Sequence, residues 1–150
     1  MNDDFRDIID LLLEQHAKFL VVGAHALAVH GVARATGDID LWVRPDADNA
    51  KRVWAALTAF GAPLAAHGVH IEDLCVEGTV YQLGLPPRRI DVITAIDGVS
   101  FEEAWHGRFV AQVAGLDVPF LGRAELVRNK RASGRPKDVA DLALLDEAEE

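Results

Sequence analysis

The chain has 150 residues, half of them hydrophobic and 26% charged, which predicts one ordinary globular domain over 1–150, large enough for a proper core. Its formal net charge is −9, which argues against non-specific duplex binding, because that requires clustered Lys and Arg facing phosphate. No apolar run approaches the ~20 residues of a membrane span, and the lone Cys75 excludes an internal disulfide and any multi-cysteine metal site.

The acidic, amphipathic start MNDDFRDIID is the opposite of a secretory signal, so a cytoplasmic protein is expected. Asp4 to His16 carries apolar residues at helical spacing with acids in its first turn. KFLVVG is a short apolar run ending in Gly23 and predicts a buried strand. AHALAVHG predicts a short helix closed by Gly31. DIDLWV is the next strand, and PDADNAKRVWAALTAFG is a helix punctuated by Pro45 and Gly61. Ala62 to Gly78 is poorly patterned, with a helical turn at HIEDLC. TVYQLG and RRIDVITA predict a hairpin across LPP; after the helical FEEAWHGR, FVAQVAG and LDVPFLG predict a second hairpin meeting at Gly115. ELVRNKRAS and PKDVADLALLDEAEE are closing helices, with Pro136 in a first-turn position. The expected class is α+β, a mixed sheet with helices packed on it.

Two acids in one strand need a reason. Asp38 and Asp40 lie two apart, so both carboxylates point to one face while Ile39 and Leu41 point to the other. Like charges on one face repel, so either water screens them at an exposed edge or a cation sits between them. Their spacing, about 6.5–7 Å along the strand, suits carboxylates bracketing Mg²⁺, a hard cation that prefers oxygen ligands. Two ions about 3.5–4 Å apart need a third acid, and Asp91, flanked by Ile90 and Val92, is the candidate. Upstream, VVGAHALAVHG places a glycine between a strand and a helix start, where backbone N–H groups can cradle phosphate. An anion cradle beside carboxylates is consistent if metal ions lie between, as with a nucleoside triphosphate and Mg²⁺. Six cations between Arg123 and Lys137, against the single acid Glu125, likewise suggest a local anionic target.

The combination VVGAHALAVHGVARATGDIDLWV, RRIDVIT and LVRNKRASGRPKDVADL resembles the DNA polymerase β-like nucleotidyltransferase superfamily, and within it the small bacterial AbiEii-like and neighbouring branches. The resemblance covers nearly the whole chain. It implies a nucleotidyltransferase fold and metal-dependent transfer of a nucleoside monophosphate from an NTP such as ATP to a hydroxyl. Asp38, Asp40 and Asp91 are implied as catalytic residues and ligands of two Mg²⁺ ions, with Mn²⁺ as a substitute, Asp91 helping to activate the acceptor. Gly23 matches the glycine that lets the β- and γ-phosphates approach. Ala24 departs from the usual Ser or Gly and offers only its N–H. His25 follows directly and is a candidate phosphate contact, as is Arg34; Thr36 is a candidate supporting donor. Lys130 would meet the triphosphate, and Asp138 would orient it or the base.

The resemblance leaves the acceptor open between RNA, a protein and a small hydroxylated molecule, and the acidity of the chain weighs against a large RNA surface. Ala24 supports the alternative of a weak or inactive nucleotide- or partner-binding module, for example one half of a toxin–antitoxin pair. Asp138 alternatively pairs with Arg135. His25 and His30 are five apart, off the i,i+4 spacing of a helical zinc pair, and His67, His70 and Cys75 form no coherent ligand pattern. Trp42 either borders the pocket or caps the core; Trp54 and Trp105 read as core.

Overall fold

The computed structural model describes residues 1–34 and 37–149. In chain order, the main elements are α1 (Asp3–Glu14), β1 (Phe19–Val22), α2 (Gly23–Val29), β2 (Ile39–Val43), α3 (Ala47–Phe60), β3 (Val80–Leu83), β4 (Ile90–Ile93), α4 (Phe101–His106), β5 (Phe109–Val113), β6 (Leu116–Phe120), α5 (Arg123–Ser133) and α6 (Pro136–Glu149). The strands form one mixed sheet in the order β3-β4-β2-β1-β6-β5. Both expected hairpins are present, β3 with β4 and β5 with β6. β2 runs antiparallel to β1 and parallel to β4, and β1 runs parallel to β6.

Strand alternation divides the core. Phe19, Val21, Ile39, Leu41, Ile90 and Val92 point to one face, where α1 lays down Phe5, Ile8, Ile9 and Leu12 and α3 adds Val53 and Leu57. Leu20, Val22 and Trp42 point to the other face and pack with Leu27, Phe101, Leu126 and Leu145. At about 25 cal/mol per Å² of apolar surface, burial on both faces is the main stabilising term. Trp42 is core, 1% exposed and edge-on to Phe101 at 5.0 Å, which settles its two alternatives.

Local signals account for several boundaries. The Asn2 side chain accepts from the Phe5 N–H and starts α1 one residue earlier than the periodicity predicts; Asp46 caps α3 by accepting from the Asn49 N–H, so that helix starts at Ala47, two residues after Pro45. Gly61 closes α3 in the left-handed conformation. Buried Asn49 accepts from the Lys18 N–H and donates to the carbonyls of Lys18 and Arg44, tying α3 to the ends of β1 and β2. The poorly patterned middle contains one 3₁₀ turn, Ile71–Cys75, whose Leu74 is fully buried in the first core. Among the described residues, no helix is long and apolar enough to cross a membrane.

Candidate active site

β2 lies between β1 and β4, so the exposed-edge explanation for Asp38 and Asp40 does not hold. Asp40 stands opposite Val22 on one side and Asp91 on the other. The parallel register of β2 and β4 therefore puts Asp40 and Asp91 side by side on the face opposite Ile39 and Ile90. Asp38 sits at the mouth of the same face, just before β2, and accepts from the Arg89 N–H at 2.9 Å.

Burial first, and then the Asp91 charge and a hydrogen bond shared with it, push the Asp40 carboxyl up to about 6. Two adjacent carboxyls behave this way when no dication neutralises them. The donor set is three carboxylates and nothing softer, which suits Mg²⁺. Among the described residues, however, no three acidic, His or Cys side chains already surround one cation position. Arg89 lies among these acids: its Nε and Nη2 bond the two Asp91 oxygens at 2.7 and 3.1 Å, with Nη2 3.4 Å from Asp38 Oδ2.

Gly23 faces Asp40 across the start of α2. Its φ is +68°, and a Cβ there would collide with Asp40 Oδ2, so this position requires glycine on both counts. Gly23, Val22 and Asp40 line a cleft of about 250 Å³ together with Asp97, Asn129, Lys130 and Arg135. A larger recess of about 490 Å³ between α1 and α3 is lined by Asp4, Asp7 and Asp10 with Leu11, Ala59 and Phe60; it offers no cation to an anionic ligand.

Lys130 is 7% exposed and is not on a solvated helix face. Its Nζ lies 3.3 Å from Asp138 Oδ1 and 3.1 Å from Asp141 Oδ2, both acids being buried in α6. Burial pulls the Lys130 ammonium down, against the opposing pull of Asp138. Arg135 donates from Nε and Nη2 to Asp138 at 2.8 and 3.3 Å and holds that carboxyl down to about 2. Asp138 thus makes the contact to Arg135 weighed from the sequence and a further one to Lys130. Arg128, by contrast, is a surface residue paired with Glu103.

Three other candidates lie away from the cleft or outside the described residues. Arg34 pairs with buried Asp141 and ties the loop before β2 to α6. His25 donates from Nε2 to the Gly37 carbonyl at 3.3 Å and packs edge-on against Phe5, and burial lowers its pKa. It lines a separate cavity with Pro87 and Arg88. Thr36 falls outside the described residues. Ala24 follows Gly23 in the first turn of α2 and brings no polar side chain to that turn.

Sequence reasoning assigns no role to Arg89, Asn129 or Asp141. A signal existed for two of them: Arg89 is two residues before Asp91 on a strand, and Asp141 is three after Asp138 on a helix, so each pair shares a face. Nothing local pointed to Asn129, whose amide donates to the Asp97 carbonyl at 2.9 Å.

The sheet order, helix placement and acidic face define a nucleotidyltransferase-like α+β fold. The structure is similar to a crystal structure described as a "putative nucleotidyltransferase (TM1012)" from Thermotoga maritima, with a TM-score of 0.57 and 16% identity over 95% of this chain and 88% of that one. No protein-family model matches the sequence, and no curated relative is found.

Proposed function

We propose that this chain is a metal-dependent nucleotidyltransferase of the AbiEii-like kind, moving a nucleoside monophosphate from an NTP to an acceptor hydroxyl. The observation that carries the reading is one cleft that brings Gly23 and Asp40, with Asp91 beside Asp40, together with Lys130 and Arg135. A triphosphate alone would be repelled by the acids, and a bare metal would leave the cations unused. A metal–triphosphate complex suits both.

In this reading Asp38, Asp40 and Asp91 hold Mg²⁺, which when bound would stabilise charge on the attacking and leaving oxygens of an in-line displacement. Gly23 keeps the floor free of side-chain atoms so that phosphate oxygens approach the backbone. Lys130 and Arg135 receive the β- and γ-phosphates; the buried acids of α6 hold both cations in place. Asp91 accepts the proton of the acceptor hydroxyl as it attacks the α-phosphorus, and pyrophosphate leaves on the Lys130 side.

Ala24 favours a second reading, a nucleotide- or partner-binding module without turnover, because it supplies only an N–H where a hydroxyl would have helped. Incubation with α-labelled NTPs, Mg²⁺, total RNA, cell protein and small hydroxylated acceptors tests both and identifies the acceptor. Label is expected on one acceptor class and should vanish with Asp38→Ala or Asp40→Ala. Equal labelling by the double variant rules out the site. Calorimetric NTP binding without any labelling favours the module.

A further inference from the structure

The acidic face already has a cation, and the chain itself supplies it. Arg89 precedes β4, and its backbone belongs to the sheet: its N–H donates to Asp38 Oδ1 at 2.9 Å, and its carbonyl accepts from the Ile39 N–H at 3.0 Å. The side chain turns to the face of Asp91, two residues on, and both Asp91 oxygens are taken by the guanidinium fork. The same Nη2 lies 3.4 Å from Asp38 Oδ2. One planar group therefore bridges an acid of β4 and one just before β2. Among the described residues, no other Lys or Arg pairs with Asp38, Asp40 or Asp91. The side chain is 28% exposed, so it has a path to solvent, whereas the backbone that carries it is fixed.

We infer that Arg89 is a displaceable counter-cation: its guanidinium occupies the bridging position between Asp38 and Asp91, competes with a divalent ion there, and swings out when the ion binds. This rests on the nucleotidyltransferase reading of the site. A guanidinium and a dication within a few ångströms of one another repel, so both cannot neutralise the same carboxylates. In exchange for lower metal affinity, the fork holds Asp38 and Asp91 at a defined separation in the metal-free protein, where three adjacent acids would otherwise drive one another apart. Arg89 is thus a positioning residue that couples metal entry to opening of the site.

The test is a Mn²⁺ titration without nucleotide, following free Mn²⁺ by electron paramagnetic resonance at neutral pH and fixed ionic strength. Arg89→Gln should bind Mn²⁺ at least about tenfold more tightly than wild type, the lower end of what one charge at ~4–6 Å contributes. Asp38→Asn and Asp40→Asn should bind it far more weakly. Without metal, Arg89→Gln should melt below wild type and recover on adding Mn²⁺, a rescue that a purely structural arginine would not produce. Arg89→Lys keeps the charge but not the fork and covers the case of a collapsed Gln variant: it too must bind Mn²⁺ more tightly than wild type. Equal or weaker binding by the folded Arg89 variants overturns the inference while leaving the metal site standing, provided the Asp variants lose the ion. If Mn²⁺ binding ignores Asp38 and Asp40 altogether, the metal reading and the inference fall together.

Discussion

Asp40 lies on an inner strand with Asp91 beside it on β4 and the bare backbone of Gly23 against its Oδ2, so burial and the Asp91 charge push its carboxyl up to about 6. The unfolded chain holds this group near 3.8. Between about pH 4 and pH 6 the native protein therefore keeps a proton that the unfolded one has released, and stability falls as pH rises through that window. Above it both states are ionised and the effect levels off. The metal-free protein should accordingly lose melting temperature from pH 4 to 6. Asp40→Asn should flatten that decline and melt above wild type at higher pH while losing transfer. Identical pH profiles for variant and wild type would remove Asp40 as the source. Asp138 has the opposite sign: Arg135 holds it down to about 2, so its contribution is present above about pH 4 and is lost as pH falls towards 2. The alternation of acids and aliphatics in DIDLWV and RRIDVIT was enough to assign Asp38, Asp40 and Asp91 to one face. The partners of Arg34 and Lys130 could not be read that way, because Asp141, the acid they share, lies on a helix about a hundred and about ten residues further along the chain.

The last two helices are joined through charge as much as through apolar surface. α6 buries Asp138, Asp141 and Leu145, an i, i+3, i+7 stripe in which two of three residues are acids. Lys130 from α5 and Arg34 from the loop before β2 meet that stripe. Asp141→Ala leaves Arg34 without its buried partner and Lys130 with Asp138 alone. Removing one member of a buried ion pair costs about 3–5 kcal/mol, so urea unfolding should show a loss of that order; a change below about 0.5 kcal/mol would place Asp141 with ordinary surface residues. Element existence was largely legible: the glycines at 61 and 115 and the proline at 136 mark turns and helix ends that the structure retains. The end of α2 was less so. Its last helical residue is Val29 and its cap is His30, whose Nε2 donates to the Leu121 carbonyl at 2.8 Å, so a contact from a distant strand end accompanies a stop just ahead of Gly31.

Across the whole molecule acids outnumber Lys and Arg, 24 against 15, and the cleft beside Asp40 holds the two cations Lys130 and Arg135 next to Asp97. That distribution suits a compact anion and repels an extended polyanion. A fluorescently labelled random duplex at physiological salt should bind more weakly than the ~10⁻⁴ M edge of non-specific association; micromolar binding in an anisotropy titration would overturn this reading of the surface. The sequence by itself determined which residues share a face, because strand and helix periods of 2 and 3.6 depend only on position along the chain. It thereby specified the acidic face, the two hairpins and the α+β class. Only the tertiary structure decided that β2 is an inner strand, that Asp40 stands beside Asp91, that Lys130 is buried between two acids, and that Arg89 lies across the carboxylates. The reason is that periodicity reports the direction of a side chain and not its neighbour. Neighbours are set by strand order and helix docking, which bring together residues separated by tens of positions in the chain.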